Sequence, residues 1–290
     1  MPARKVPKHL ISLLKGSVDT YIAHPVILIP FVTIAFIQLL VLEILYFSPR
    51  FPLSIFFNPV VKSLWGGQYV HYPANFLVLP KLFQNVQVFI YIFIGSYFIA
   101  VAIGIIAVLN SNGKISLFSS CRDALRQYVH IFVGALISFI VFFGLHKLYN
   151  FLMLKALNIS SIEGAYNIIK NVIFWGSPYV NLLIGTFVAA IFAFVFPIII
   201  IDKKKIFAAL WLNFKNLWGS FWFIFLVAMI PTLFYLPVLL IRNNINGLAD
   251  ALFPEVRIIV LMVSIIVTMF IDATIYTAMT LFYLLKKEQA

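Results

Sequence analysis

The stretch of sequence that decides the fold is Phe207-Ala-Ala-Leu-Trp-Leu-Asn-Phe-Lys-Asn-Leu-Trp-Gly-Ser-Phe-Trp-Phe-Ile-Phe225. Its first part places apolar side chains at helical spacing among polar ones, which predicts a short amphipathic helix. Gly219 then leads into a strongly apolar run. Similar segments occur at 11–25 and 118–132, and each of the three precedes two long apolar stretches. The sequence therefore predicts three copies of an amphipathic helix followed by a transmembrane hairpin.

The three segments align so that their apolar positions share one helical face, because these positions are spaced by three, four and three residues. The alignment predicts three parallel repeats, at about 8–109, 114–201 and 204–285, within one membrane domain of residues 1–290. The aligned sets are Ile11, Phe118 and Phe207; Leu14, Cys121 and Leu210; Val18, Leu125 and Phe214; and Tyr21, Tyr128 and Leu217.

The composition excludes a soluble protein. Hydrophobic residues make up 63% of the chain and charged residues 10%, and the mean hydropathy is +1.05, whereas soluble domains carry about 25% charged residues. The net charge of +12 does not indicate nucleic-acid binding, because the basic residues lie between apolar spans rather than on one polar face. The single cysteine, Cys121, excludes an intrachain disulfide.

Six apolar stretches are long enough to cross about 30 Å of hydrocarbon at about 1.5 Å per residue. No stretch alternates with the period of two that a barrel strand requires, so the predicted fold class is an all-α, polytopic membrane helix bundle. The predicted spans are 25–47, 86–109, 129–149, 180–201, 219–241 and 257–285. The first of them is too long for a signal peptide, and we expect it to be retained.

Lys and Arg are most frequent in the N-terminus, in the connections after the second and fourth spans, and in the tail. This bias predicts that both termini are cytoplasmic, in a protein of the plasma membrane. The amphipathic helices would then lie on the cytoplasmic surface, where Trp211, Trp218 and Tyr128 favour an interfacial position over packing beneath the bundle. The residues predicted to contact anionic headgroups are Lys15, Arg122, Arg126, Lys203, Lys204, Lys205 and Lys215.

Asp272 lies near the middle of the last span, where a charge is costly. It belongs to a polar row spaced four residues apart, and we expect this row to face the bundle interior. The row consists of Ser264, Thr268, Asp272, Tyr276 and Thr280, and the predicted neighbours from other helices are Gln38 and Ser138. In one interpretation Asp272 binds a proton or cation during transport. In the other it is a neutral acid that hydrogen-bonds Gln38 and fixes helix packing.

Two further patterns predict local structure. Pro197, Pro231 and Pro237 interrupt the fourth and fifth spans, either as packing kinks or as the broken helices from which transporters build ion sites. The capping box Ser160-Ser-Ile-Glu163 predicts an interfacial helix in the connection 150–179.

The connection 48–85, rich in proline and aromatic residues, is expected to cap the bundle or to dip into the interface.

Motifs for catalysis and for cofactors are missing. The chain contains no His-Glu-x-x-His, no glycine-rich phosphate loop, no Gly-x-Ser-x-Gly and no paired carboxylates. We therefore predict that the protein is not an enzyme and uses no metal or cofactor.

The runs Lys205-Ile-Phe-Ala-Ala-Leu and Asn213-Phe-Lys-Asn-Leu-Trp, with the pattern of amphipathic helix and hairpin around them, carry a resemblance. The chain resembles poorly characterised prokaryotic six-helix membrane proteins that are similar to the membrane domain attached to some glycerophosphodiester phosphodiesterases. The resemblance implies a six-helix membrane fold and brings no catalytic residue onto this chain, because in that family the hydrolase is a separate domain.

Two functions follow as hypotheses. The first is a non-catalytic membrane component that interacts with lipids, or with partner proteins, through its surface helices. The second is a proton- or cation-coupled transporter or channel with a polar path beside Asp272. A water-accessible cavity at Asp272 would favour the second, and a packed centre would favour the first.

Overall fold

The structure of the protein, a computed structural model, describes residues 10–111, 113, 116–158 and 165–289, and the side chains of these residues except 156–158 and 165–175. The described chain is all-helical, with 86% helix and no strand, as the composition predicts. Short 3₁₀ turns at Pro25–Ile27 and Gly67–Val70 join some helices, and a π-helical segment, Ile90–Gly95, joins two others. The α-helices are α1 (Leu10–Ala23), α2 (Leu28–Tyr46), α3 (Ser54–Trp65), α4 (Asn75–Phe89), α5 (Ser96–Asn110), α6 (Leu117–Arg126), α7 (Tyr128–Asn158), α8 (Ala165–Ile191), α9 (Val195–Ile201), α10 (Ile206–Leu217), α11 (Phe221–Leu233), α12 (Leu236–Asn243), α13 (Ile245–Ala251) and α14 (Val256–Lys287).

Five helical segments of the described chain are long and apolar enough to cross a membrane. A sixth candidate is α11, which is bent by 98° from α10. The chain is therefore a multi-pass membrane protein, and five of the predicted spans are confirmed as candidates. The five segments are Pro25–Tyr46, Asn75–Asn110, Tyr128–Lys155, Gly176–Ile201 and Val256–Lys287.

The predicted span over 219–241 is interrupted, as its prolines indicate. Helix α11 ends at Leu233, and α12 begins only at Leu236. The break follows from Pro237, which has no N–H to donate to the carbonyl of Leu233 and whose ring clashes with that carbonyl. With 13 residues, α11 alone is about 20 Å long at 1.5 Å per residue.

The interrupted segment nevertheless runs along the whole of α14. Three hydrogen bonds show that the segment runs antiparallel to α14. Residues later in the segment bind residues that lie closer to the start of α14. The bonds join Ser220 Oγ and Lys286 Nζ (3.3 Å), Tyr235 Oη and Ser264 Oγ (2.7 Å), and Asn246 Oδ1 and Arg257 Nη2 (3.0 Å). Helices α11, α12 and α13 together therefore connect the two ends of the bundle.

The connections differ from the sequence-based expectation in part. The capping box at Ser160–Glu163 lies outside the described residues. The helix expected after it is not a separate element, because α8 begins at Ala165 and continues to Ile191. The connection 48–85 forms α3 and the first part of α4, and α3 exposes several apolar side chains, among them Phe56.

The core lies where α5, α9 and the second half of α14 meet. One continuous apolar cluster includes Ile103, Ile198 and Ala278, each of which is fully buried. The long helices pack in a closed order around this core: α2 against α5, α5 against α7, α7 against α8, α8 against α11, α11 against α14, and α14 against α2. Of the five candidate spans, α7 is the least enclosed, because only 11% of its most apolar stretch is buried inside the protein.

Candidate functional site

Three short helices, α1, α6 and α10, lie against the bundle and are called the surface helices below. They match the predicted amphipathic segments closely. Helix α6 packs against α5, and α10 packs against α9, so each lies on the long helix that precedes it in the chain. Helix α1 packs against α14, the last long helix, and so closes the ring.

The surface helices share one register of burial. When they are aligned as the sequence predicts, two sets of equivalent positions are buried in all three helices. Most of these residues are small, which allows close contact between helix axes; a Cβ added to Gly104 of α5, for example, would lie 3.5 Å from Cβ of Ser120. The buried positions, exposed by only 0–6%, are Leu13, Ser120 and Ala209, and Ser17, Ala124 and Asn213.

Several large apolar side chains of the surface helices point away from the bundle. Ile11, Phe118 and Phe207 are exposed by 76%, 79% and 79%. These members of the aligned apolar set face outward, and the face that packs passes through the positions two residues later. An outward apolar face is what the interfacial alternative expects, and the interfacial position itself stays a prediction. Further exposed apolar side chains are Ile22, Leu125, Val129, Trp211, Phe214 and Trp218.

Each surface helix also makes a polar contact with its supporting long helix. Tyr21 Oη lies 3.4 Å from Thr274 Oγ1 of α14. Tyr97 of α5 donates to the carbonyl of Cys121 in α6 at 3.1 Å. Tyr128, which begins α7 directly after α6, also donates to the carbonyl of Phe93 in the π-helical segment at 2.9 Å. The π-helical segment leaves carbonyls without their usual α-helical partners, and Tyr128 binds one of the carbonyls of this segment.

Asn213 of α10 makes the third contact and binds the break between α8 and α9. Its Oδ1 accepts from the N–H of Phe194 at 3.0 Å, and its Nδ2 donates to the carbonyl of Ile191 at 2.7 Å. The break follows from Pro197, which cannot donate to the carbonyl of Ala193, so the predicted proline interruption of the fourth span is confirmed. Asn213 is 0% exposed, so this side chain replaces backbone partners that the break removes.

The ends of α5, α9 and α14 meet at one end of the bundle. Asn110 Nδ2 donates to Glu288 Oε1 at 3.2 Å, and Lys287 Nζ lies 2.5 Å from Asp202 Oδ1. Tyr283 also donates to Asp202, and Lys286 donates to the carbonyl of Asn216 at 2.5 Å. Helices α6 and α10 therefore begin at the same end of the bundle. Which side of the membrane this end faces stays a prediction.

The predicted headgroup-binding residues are accessible. Lys15 lies on α1, Arg122 and Arg126 on α6, and Lys215 on α10, whereas Lys203, Lys204 and Lys205 form the connection before α10. All seven are exposed. Basic and large apolar side chains thus occur together on the outward faces of the surface helices.

Asp272 forms the second candidate site, a polar cluster inside the bundle. Tyr91 of the π-helical segment donates to Asp272 Oδ2 at 2.9 Å. One interpretation expected Gln38 to hydrogen-bond Asp272 directly, and the structure shows no such bond between these two residues. Gln38 Oε1 accepts from Gln87 Nε2 at 2.9 Å. Gln38 is 2% exposed, and it lines one small cavity together with Tyr91 and Asp272.

The other predicted members of this site lie elsewhere. Ser138 Oγ donates to the carbonyl of Gly134 in its own helix at 2.9 Å, and Thr268 donates to the carbonyl of Ser264. Neither residue lines the cavity. The ring of Tyr276 stacks on Phe31, a lining residue, with centroids 6.4 Å apart. Of the predicted neighbours from other helices, only Gln38 is therefore brought to Asp272.

Sequence reasoning missed Tyr91 and Gln87. Their signal was a polar pair spaced four residues apart within the second span, which places both side chains on one helical face. The π-helical segment that holds Tyr91 changes the local helical register, and such segments occur frequently at functional sites. Gly95 lies close to the tyrosine ring, since a Cβ there would be 3.1 Å from Cδ1 of Tyr91.

Replacing Gly95 by alanine is expected to displace the Tyr91 ring and weaken its bond to Asp272. We expect a loss of about 1 kcal/mol in the free energy of unfolding, measured as a lower thermal midpoint in detergent. Gly144→Ala is the matched control, because a Cβ at Gly144 meets nothing within 4 Å. Alanine is the better helix former by about 1 kcal/mol, so the control should be neutral or stabilising. Equal midpoints for the two variants would contradict the role of Gly95.

The described residues contain no group of three or more His, Cys, Asp or Glu side chains placed to hold a metal ion. No known protein family, curated protein or solved structure matches this chain. The resemblance to the membrane domain of glycerophosphodiester phosphodiesterases therefore stays a prediction.

Proposed function

We propose that this multi-pass membrane protein is a non-catalytic component that binds the lipid surface of one leaflet through its surface helices. The observation that carries the proposal is the shared register of the three helices. Small residues face the bundle, and large apolar residues such as Phe118 and Phe207 face outward beside basic ones. An outward face of this kind fits the boundary between acyl chains and headgroups.

The basic residues give this surface a preference for anionic lipid. Each Lys or Arg close to an anionic surface contributes about 1 kcal/mol. Lys203, Lys204 and Lys205 are consecutive and exposed, and Lys215 follows on α10. Trp211 and Trp218, exposed by 75% and 90%, suit the headgroup level, where tryptophan is enriched in membrane proteins.

The proposal includes six crossings, three repeats and cytoplasmic termini. The antiparallel course of α11–α13 along α14 supports a sixth crossing, and the shared burial register with the closed helix order supports the repeat. The excess of Lys and Arg at the end where α5, α9 and α14 finish supports a cytoplasmic position for that end.

Cation-coupled transport is the second candidate, and Asp272 is the observation that favours it. The space at Asp272 offers about 10 Å³ to the centre of a water molecule, which is about the minimum that one water requires. A transport path needs a longer water-accessible route than this. The packing at Asp272 therefore favours lipid binding as the primary function.

The test is quenching of tryptophan fluorescence by brominated lipids in proteoliposomes. We expect brominated phosphatidylglycerol to quench more strongly than brominated phosphatidylcholine at the same mole fraction, since anionic lipid is enriched around Trp211 and Trp218. The readout uses a variant in which Trp65, Trp175 and Trp222 are phenylalanine. Replacing Lys203, Lys204, Lys205 and Lys215 by glutamine should bring the quenching ratio close to one.

Lys147→Gln with Lys155→Gln is the matched control, because these lysines lie in the second half of α7, away from the surface helices. This control should keep the quenching ratio of the parent. Equal quenching by the two lipids in the parent would overturn the anionic preference. If neither lipid quenched the tryptophan fluorescence, the interfacial position itself would be overturned.

A further inference from the structure

Asp272 is an acid with no cationic side chain beside it among the residues that the structure describes. The cavity beside it is lined by Phe31, Ile34, Ala35, Gln38, Tyr91, Ile265, Met269 and Asp272. The nearest titratable groups are the hydroxyls of Tyr91 and Tyr276, and neither of these can supply a positive charge. A carboxylate in this position therefore needs a neutralising partner that the described lining residues do not provide.

The hydrogen bond to Asp272 points toward its carboxyl group, since Tyr91 donates to Asp272 Oδ2 at 2.9 Å. A carboxylate accepts only, whereas a neutral acid also has a proton to donate. A bond donated to the carboxyl group therefore stabilises the ionised form of Asp272. Gln38 lines the same cavity, and its Oε1 accepts from Gln87 Nε2 at 2.9 Å.

We propose that the cavity between Gln38, Tyr91 and Asp272 binds one Na⁺ ion, which neutralises the Asp272 carboxylate. The site offers oxygen atoms from a carboxylate, an amide and a phenol, which are the atoms that hard cations prefer. It has room for about one water-sized occupant.

The charge of the site selects a monovalent ion. One carboxylate balances one positive charge, so a divalent ion would leave a net charge inside the bundle, where charge is costly. The helical register supports the assignment, because the π-helical segment places Tyr91 on this cavity and such segments recur at functional sites. Na⁺ bound here joins α2, the π-helical segment and α14.

The test is the thermal midpoint of the purified full-length protein in detergent, with NaCl replaced stepwise by choline chloride at constant ionic strength. We expect a saturable rise on the order of 5 °C when Na⁺ exceeds its Kd about thirtyfold. Asp272→Asn should abolish the Na⁺ dependence. Gln38→Leu removes the amide oxygen and should weaken Na⁺ binding about tenfold.

Glu43→Gln is the matched control, since it removes an exposed acid from the same helix as Gln38 and should keep the full Na⁺ response. Binding of ²²Na⁺ to the parent protein, at about one ion per chain, provides a readout that does not depend on the folding of Asp272→Asn. A midpoint that is the same in NaCl and choline chloride would overturn the proposal. A midpoint that rises only on acidification would replace Na⁺ by a proton.

Discussion

Replacing Asn213 by leucine is expected to lower the free energy of unfolding by about 2–6 kcal/mol, because two backbone groups lose their partners at about 1–3 kcal/mol each. These groups are the N–H of Phe194 and the carbonyl of Ile191, which Asn213 binds at 3.0 and 2.7 Å. Leucine has the same number of side-chain heavy atoms as asparagine, so no cavity forms, and the lost hydrogen bonds add to the strain from its bulkier methyl groups. The thermal midpoint in detergent should fall by about 5 °C or more.

Hydrogen exchange gives this prediction a local readout. Peptides that cover the break at residues 192–194 should exchange faster in Asn213→Leu, whereas peptides from α2 should be unaffected. Asn216→Leu is the matched control on the same helix, because it is the backbone carbonyl of Asn216, and not its side chain, that accepts from Lys286. An equal loss of stability in both variants would show that α10 only requires a polar surface and that Asn213 has no special role at the break.

Much of the fold could be predicted from the sequence because its signals are long and repeated. Apolar runs of spanning length locate five of the long helices, and helical spacing locates α1, α6 and α10 to within a few residues. Pro197 and Pro237 identify two helix breaks, because a proline removes a backbone donor. Pro231, however, lies inside α11 without ending it. A proline alone therefore does not fix where a helix breaks.

The inward face of the surface helices could not be predicted from the same signals. Lipid tails are as apolar as a protein core, so hydrophobicity does not tell Phe207, which faces outward, from Ile206, which is buried. Packing density decides instead, and small residues such as Ala124 and Ala209 take the inner positions. The three-residue spacing of large apolar side chains therefore described the face toward lipid rather than the face toward protein.

The polar cluster shows a similar limit. Asp272 was visible in the sequence as a lone acid in a span, but its partner depends on how three helices meet. Tyr91 reaches it from a π-helical segment whose register no simple periodicity indicates. Ser138 lies near the centre of its helix, but its hydroxyl donates to the carbonyl of Gly134 in the same helix. Depth in the membrane alone therefore does not identify the neighbours of Asp272.

The shared register of burial of the surface helices predicts a second large effect on stability, at two neighbouring alanines of α10. Ala209 is 0% exposed and packs in the main core cluster, whereas Ala208 is exposed. Ala209→Leu forces three additional carbon atoms between α10 and α9, and we expect a loss of about 1–3 kcal/mol or more. Ala208→Leu adds the same atoms to the outward face, where surface substitutions change stability by about 0.5 kcal/mol or less.

The two leucine variants have the same composition and the same helix propensity, so the difference between their thermal midpoints isolates the direction in which each side chain points. The lipid-quenching ratio of Trp211 gives a second readout that distinguishes the two faces. Ala208→Leu adds apolar surface toward the membrane and should leave Trp211 at the same depth. Ala209→Leu should instead separate α10 from α9. A larger loss from Ala208→Leu than from Ala209→Leu would mean that α10 packs through its large apolar residues after all, and the lipid-facing surface would have to be reassigned.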